Sequence, residues 1–97
     1  MIRLLLHQKR IHEDGAIEER IVWTVPKSSK SPEGVRYRLA FILKGAKMPS
    51  VLYDNHHPKG HHKHIDGNEM SYDFLSIERL LVDFDSDVQE VKNSEVF

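Results

Sequence analysis

Two runs at the start of the chain, Ile2–His12 and Ala16–Val25, are rich in apolar residues and flank Asp14-Gly15. Asp-Gly between two such runs predicts a two-residue β-hairpin, because a type I′ turn needs positive φ at both central positions. In that hairpin Leu6 lies opposite Trp23, and alternation gathers one apolar set on a face that we expect to be the core. The set consists of Leu4, Leu6, Ile17, Ile21, Trp23 and Val25.

The same register decides what the opposite face of the hairpin carries. It places Lys9 directly across from Arg20, and like charges in that position destabilise a sheet unless an anion or Glu18 lies between them. Two interpretations stay open, a functional basic face or a solvated outer surface with Glu18 as the diagonal partner. The members of this face are His7, Lys9, Glu18, Arg20, Val22 and Thr24.

A third strand is predicted over Val35–Lys44, where side chains alternate with a clean period of two. The other side of this strand begins with Arg36 and Arg38, which either clamp phosphates bidentately or form ion pairs with Glu18 or Glu19. The side that we expect in the core carries Val35, Tyr37, Leu39, Phe41 and Leu43.

The remaining strands are shorter and are separated by turn signals. Met48–Asn55 predicts a fourth strand, with Pro49 at its start or on a sheet edge. His61–Ile65 predicts a further extended segment. Glu69–Phe74, which follows the strong turn signal Asp66-Gly67-Asn68, predicts the last strand.

A C-terminal helix is predicted after Ser76, which suits an N-cap position. The pattern as a whole therefore predicts an α+β fold, an antiparallel β-sheet of about five or six strands with the amphipathic helix packed on one face. The 97 residues form one small domain, residues 1–97. The apolar stripe of the helix recurs at helical spacing and consists of Ile77, Leu80, Leu81, Phe84, Val88 and Val91.

Composition narrows the classes of function. The chain has no cysteine, so it has neither disulfides nor a thiolate zinc site, and a reducing cytoplasm is expected. It also has no apolar run long enough to span a membrane. The net charge of −1 hides an asymmetry: residues 1–75 carry 12 Lys and Arg against 9 Asp and Glu, and residues 76–97 carry 2 against 6. A basic face for an anion would give this asymmetry, and so would an ordinary acidic helix.

Five of the seven histidines lie between His56 and His64. Histidine titrates near neutral pH and is the commonest metal ligand, so the stretch suits either proton chemistry or metal binding. In a metal site, His62 and His64 would share the ion from one side of a strand, with Asp54, His56 or His57 completing a zinc site. The neighbouring lysines of the stretch repel a cation.

The proton interpretation needs no metal. RNA cleavage by attack of the 2′-hydroxyl requires a base, an acid and a cation that stabilises the extra phosphate charge. Two histidines can share the first two roles, Lys or Arg can supply the third, and Asp54 can hold an imidazole in one tautomer. Tyr53 can stack on a base. The chain has no GxGxxG or P-loop motif, and no cofactor is expected.

Four short motifs in order resemble the TumE family, whose members are toxins of toxin–antitoxin pairs. The resemblance implies a cytoplasmic toxin encoded beside a helix-turn-helix antitoxin and acting on RNA or translation. It carries over no established catalytic residue, but it makes the matching polar residues Asp54, Asn55, His61, His62 and His64 the first candidates. The motifs are Arg36-Tyr37-Arg38-Leu39, Tyr53-Asp54-Asn55, His61-His62-Lys63-His64, and Tyr72-Asp73-Phe74 before an amphipathic helix.

Pattern and resemblance together predict the toxin of a type II pair, acting as a metal-independent ribonuclease or as an inhibitor of the ribosome. The expected catalytic residues are His61, His62, His64 and Asp54. The expected RNA- and phosphate-binding residues are Arg36, Arg38, Lys59, Lys63, Tyr53 and Asn55.

Two alternatives remain at this stage. The first is a non-enzymatic metal- or nucleic-acid-binding module, in which His56, His62 and His64 would be the metal ligands. The second is an inactive toxin-like interaction protein that keeps the fold and binds the antitoxin. In either, the helix Ile77–Val91 would cover its own sheet or the sheet of a second copy in a homodimer.

Overall fold

The computed structural model describes residues 1–94, which form an antiparallel sheet and a C-terminal helix. The strands lie side by side in chain order, so the sheet is a simple meander. The predicted α+β fold is confirmed. Within these residues the elements are β1 (Arg3–Ile11), β2 (Ile17–Thr24), β3 (Val35–Ile42), β4 (Val51–Asp54), β5 (His62–Ile65), β6 (Asn68–Ser71) and α1 (Ile77–Ser94).

The N-terminal hairpin is present, but its predicted register is wrong by one residue. Leu6 pairs with Val22 rather than with Trp23. The reason is the turn: of Asp14 and Gly15 only Gly15 has positive φ, at 90°, and its N–H donates to the His12 carbonyl at 2.9 Å. This is a type I turn followed by a left-handed glycine, a longer connection than the predicted two-residue type I′ turn.

The shift of one residue exchanges the two faces of β2, whereas β1 keeps Leu6 inward and Lys9 outward, because side chains alternate along a strand. The pairing is irregular between Leu4 and Leu6, and this irregularity turns Leu4 outward beside Trp23. Val22 is buried against the helix, whereas Trp23 is 38% exposed on the other face. Lys9 lies opposite Glu19 rather than opposite Arg20, so the predicted clash of like charges does not occur. Leu6 alone of the predicted hairpin set packs on the core; the prediction is wrong for Leu4, Ile17, Ile21, Trp23 and Val25.

The core lies between α1 and one face of the sheet, which we call the helix face. The predicted inward sides of β3 and α1 are confirmed, since each buries its apolar stripe there. Burying one such side chain contributes about 1.5–3 kcal/mol to folding. Ser76 caps the helix as predicted, because its Oγ accepts the N–H of Arg79 at 3.1 Å. The fully buried side chains are Val22, Leu39, Phe41, Val51, Tyr53, Leu80, Phe84 and Val88.

Charged side chains also fix α1 on the helix face. Glu18 is buried there and accepts a hydrogen bond from Arg20 Nε at 2.7 Å, and Arg20 also pairs with Asp85 of the helix. His12 lies between Glu18, at 3.2 Å, and Lys92 Nζ, at 2.9 Å. Because these groups compensate one another, β2 can turn Glu18 and Arg20 inward. The opposite surface of the sheet, which we call the open face, has no helix of residues 1–94 packed on it.

Candidate nucleic-acid interface on the open face

The regular pairing of the strands places polar side chains in a row across the open face. Arg38 on β3 is the partner of Asp54 on β4, and Asp54 is the partner of His62 on β5. Partners on neighbouring strands share a face and lie roughly 5 Å apart. Arg38 and His62 are therefore roughly 10 Å apart across the strands, and the carboxylate of Asp54 lies between them.

A second row runs beside the first. Leu52 on β4 pairs with His64 on β5, and His64 pairs with Glu69 on β6. His62 and His64 are two residues apart on β5, so their rings share the open face. The ring centroids are 5.2 Å apart and the planes are inclined by 75°. The predicted pairing of these two histidines on one side of a strand is thus observed.

A hydrogen bond orients the imidazole of His62, and a carboxylate lies close to the imidazole of His64. Nδ1 of His62 lies 2.8 Å from the carbonyl oxygen of Gly60. A carbonyl only accepts, so Nδ1 carries the proton and Nε2 keeps its lone pair. Nε2 of His64 lies 3.3 Å from Oε1 of Glu69. The same oxygen accepts a hydrogen bond from Lys59 at 2.6 Å, and this bond holds the pKa of Glu69 below its usual range.

The loop between β4 and β5 forms the rim of the site. Its backbone is held by Asp54, whose Oδ1 accepts the N–H of His56 at 2.6 Å. Arg36 donates to Nδ1 of His56 at 3.1 Å, which ties the loop to β3. The Asp54 carboxylate, predicted to orient an imidazole, therefore contacts the backbone of the loop.

Two adjoining hollows lie along the open face. One of about 350 Å³ is enclosed by the loop, β4 and β5, and the other, of about 430 Å³, lies over β2 and β3. Asp54 and His56 line both, so the hollows adjoin at these two residues, and we call the two hollows together the groove. The first end carries Lys59, His62 and His64, and the second end carries Ile21, Trp23, Arg36 and Arg38.

Trp23 is the residue of this groove that sequence reasoning missed. It was assigned to the core, but it is the cross-strand partner of Arg36 on the open face. An exposed indole beside an arginine offers a flat apolar surface next to a cation, the combination on which nucleic-acid bases stack. The signal that could have revealed it is the turn, because Asp-Gly also fits a type I turn with a left-handed glycine.

Three of the predicted site residues lie on the helix face or at its edge. Tyr53 is fully buried, and its hydroxyl donates to Asp87 of α1. Lys63 points the same way and reaches Asp87 Oδ2 at 3.0 Å. Both residues therefore join β4 and β5 to the helix, and neither lines the groove.

His61 is the third of these residues. Its Nε2 lies 2.9 Å from Oε1 of Glu33, its Nδ1 lies 2.8 Å from the Tyr37 hydroxyl, and its ring stacks on Phe74 at 4.8 Å. The hydrogen bond with His61 lowers the pKa of Glu33. The order carboxylate, imidazole, hydroxyl resembles a proton relay. However, Tyr37 is only 4% exposed and burial raises the pKa of its hydroxyl, so the arrangement offers no accessible nucleophile.

Asn55 serves the backbone at the end of β4. Its Oδ1 accepts the N–H of Tyr37 at 3.0 Å, and its Nδ2 donates to the carbonyl of Val35 at 2.8 Å. The side chain thereby extends the pairing of β3 and β4 by one step. Of the residues predicted to bind RNA, Arg36, Arg38 and Lys59 lie along the groove. Arg36 contacts His56, Arg38 lies 4.0 Å from Oε1 of Glu19, and Lys59 pairs with Glu69.

A group of metal-ligand type is also present in residues 1–94. His62, His64 and Glu69 each offer one ligand atom, and these atoms lie within 4.8 Å of one another. His56, predicted as a ligand, instead contacts Arg36. Glu69 was not predicted, since its approach to His64 depends on the pairing of β5 with β6.

Comparison with known proteins adds one finding. The family model described as toxin TumE matches residues 1–92. No curated protein and no solved structure matches the chain significantly. Within residues 1–94, no helix combines the length and the apolarity that crossing a membrane requires.

Proposed function

Since the chain belongs to the TumE toxin family, it is the toxin component of a toxin–antitoxin pair, and we propose that it acts on RNA through the groove of the open face. The observation that carries this proposal is that the two hollows adjoin at Asp54 and His56. Trp23 and Arg38 lie at one end, and His62 and His64 lie at the other. The groups that would bind a base, bind a phosphate and transfer protons thus lie next to one another on the open face.

The Trp23 end of the groove would bind the RNA strand. Guanidinium groups bind phosphate bidentately, and Arg36 and Arg38 project from alternate positions of β3 onto the same face. The indole of Trp23 lies beside Arg36 and would stack on a base of the bound segment. Stacking and phosphate contacts tolerate any sequence, so this end would supply affinity rather than strong sequence preference.

The histidine end would carry out the cleavage. One imidazole accepts the proton of the 2′-hydroxyl, and the 2′-oxygen attacks the adjacent phosphorus. The bond from phosphorus to the 5′-oxygen breaks, the other imidazole donates a proton to that oxygen, and a 2′,3′-cyclic phosphate remains. His62 would act through Nε2, because its Nδ1 is held by Gly60. Lys59 would stabilise the added negative charge of the phosphate.

The family implies an antitoxin partner. We propose that it is a helix-turn-helix protein, that the pair is of type II, and that the toxin works in the cytoplasm. An antitoxin that neutralises the toxin by contact would have to deny RNA access to the groove. Mixing purified toxin with increasing amounts of the neighbouring gene product should then abolish RNA binding at one equivalent.

Growth after induction tests the function. The wild type should arrest growth, coexpression of the neighbouring gene should restore it, and His62→Ala and His64→Ala should be harmless while remaining soluble. His7→Ala is the matched control, because His7 is an exposed histidine of β1 that lines neither hollow, and it should stay toxic. If His62→Ala and His64→Ala are folded and fully toxic, the proposed acid–base site is wrong.

Purified protein separates cleavage from simple binding. Wild type should convert a single-stranded RNA into products that end in a 2′,3′-cyclic phosphate, and it should do so in the presence of a chelator. Binding without cleavage would instead support a non-enzymatic nucleic-acid-binding module that blocks translation. If the protein neither binds nor cleaves RNA, the proposed action on RNA is wrong.

A further inference from the structure

Three side chains on β5 and β6 converge on one point of the open face. They are His62, His64 and Glu69, and their nearest ligand atoms lie within 4.8 Å of one another. Two imidazoles and one carboxylate are the protein ligands of many zinc sites that keep a fourth position open. Strand pairing fixes the positions, because His64 and Glu69 are register partners and His62 is two residues away on the same face.

The separation of the ligand atoms suits a small divalent cation. Nε2 of His64 and Oε1 of Glu69 are 3.3 Å apart. Ligands at zinc bond lengths in a tetrahedron are roughly 3.3 Å from one another, so these two atoms already stand at the required spacing. The third ligand atom belongs to His62 and lies within 4.8 Å of the other two.

A second contact prepares His62 for the same role. Imidazoles that bind a metal nearly always donate their other N–H to a carbonyl or carboxylate, which fixes the ring and raises the basicity of the ligating nitrogen. Nδ1 of His62 has such a partner in the carbonyl of Gly60 at 2.8 Å. Gly60 has a φ of 73°, a left-handed conformation that favours glycine.

We propose that His62, His64 and Glu69 form a site for one divalent cation of the zinc class, with its fourth position open to the groove. Imidazole ligands favour zinc over magnesium, which prefers an all-oxygen octahedron. Lys59 is the built-in competitor, since its ammonium lies 2.6 Å from Glu69 Oε1 and would have to swing aside. Its side chain is well exposed, which leaves it room to do so.

Isothermal titration calorimetry with zinc chloride tests the site. Wild type should bind one Zn²⁺ per chain and no Mg²⁺ under the same conditions. Glu69→Gln and His64→Ala should each bind at least tenfold more weakly, because even removing a residue that only supports a zinc ligand weakens binding by about tenfold or more. Lys59→Met should bind more tightly than wild type, because it removes a competing cation.

The matched control separates a built site from a histidine-rich surface. His56 and His57 lie in the adjoining loop outside the converging group, so the double variant His56→Ala/His57→Ala should bind Zn²⁺ as wild type does. If the loop double variant loses as much affinity as His64→Ala, or if Glu69→Gln binds normally, the proposal is wrong. Glu69 is exposed at the sheet edge, and circular dichroism should show that Glu69→Gln is folded. The inference stands independently of the proposed action on RNA, since neither binding measurement uses RNA.

Discussion

The Nδ1 atom of His61 lies 2.8 Å from the hydroxyl of Tyr37. The opposite nitrogen of the same ring faces the Glu33 carboxylate, so both nitrogens are engaged within the fold. His62, the next residue, faces the other side of the sheet and keeps Nε2 for the groove. Two adjacent histidines of one motif therefore have different tasks: His61 holds the end of the sheet, and His62 lines the proposed site.

Replacing His61 should reduce stability more than it reduces function. His61→Ala leaves the buried hydroxyl of Tyr37 without its partner, which should lower the free energy of unfolding by about 1–3 kcal/mol. The measurement is urea denaturation followed by circular dichroism. Toxicity or cleavage per folded molecule should remain near that of the wild type. A variant as stable as the wild type but inactive would place His61 in the chemistry instead.

Asp87 should matter for helix docking and not for RNA. It accepts hydrogen bonds from the buried Tyr53 hydroxyl and from Lys63. Asp87→Ala should therefore cost about 1–3 kcal/mol of stability, because a buried hydroxyl is left unpaired. Lys63→Met should be milder and should leave RNA affinity unchanged, as measured by fluorescence anisotropy. A marked loss of RNA affinity in folded Lys63→Met would show that this lysine reaches the nucleic acid.

The sequence predicts the buried face of a strand or helix correctly where apolar residues occupy only one side of it. The strand β3 and the helix α1 have one apolar side each, so their buried faces were predicted correctly. The strand β2 has apolar residues on both sides. Ile21 and Trp23 lie on one side, and Val22 lies on the other side together with Glu18 and Arg20. The pattern favoured the more apolar side, because it does not show that Glu18 pairs with Arg20 and His12, or that Arg20 also pairs with Asp85 of the distant α1.

The same limit applies to the candidate site. Alternation along β5 separates His62 and His64 from Lys63 correctly, because that contrast is local. The partners are not local: Glu33 lies 28 residues from His61, and Asp87 lies 24 residues from Lys63. Histidine and lysine have the same appearance in a sequence whether they line a groove or join two elements. Only the pairing of strands and the position of α1 distinguish the two cases.

Trp23 and Arg38 should contribute to RNA affinity in different ways. Trp23→Ala should weaken binding of single-stranded RNA by about 1–3 kcal/mol with little change in salt dependence, because stacking carries no charge. Arg38→Ala should reduce the slope of log affinity against log salt by about 0.7 for each phosphate that is no longer neutralised. Met48→Ala is the matched apolar control, since Met48 is exposed away from the Trp23 end of the groove. An equal weakening in Met48→Ala would mean that the indole has no specific role.

Alkaline pH should destabilise the fold through its three tyrosines, two of them buried and one half-buried. Burial is the main cause that raises the pKa of Tyr37, Tyr53 and Tyr72 above the usual value, and Asp87 and Asp83 add to it for the latter two. Above about pH 10 the unfolded chain loses these protons before the folded chain does. The unfolded state then binds fewer protons, so the free energy of unfolding falls as pH rises.

Urea denaturation at a series of pH values from about 8 to about 11 measures this dependence. Tyr53→Phe should show a shallower fall than the wild type, because one of the three groups is absent. Tyrosinate absorbance of the folded wild type should appear only at a pH well above that of a short tyrosine peptide. Ionisation of all three tyrosines at the ordinary pH in a protein that is still folded would contradict the burial seen here.

A bound cation and acid–base catalysis should exclude one another at His62 and His64. A metal ion takes the lone pair that an imidazole needs in order to accept a proton, so Zn²⁺ should inhibit RNA cleavage and a chelator should restore it. Glu69→Gln supplies the test of cause: it should cleave RNA but should resist inhibition by Zn²⁺, because its cation affinity is low. If Zn²⁺ instead activates the wild type and a chelator stops cleavage, the cation belongs to the mechanism, and the metal-independent route through two free imidazoles is wrong.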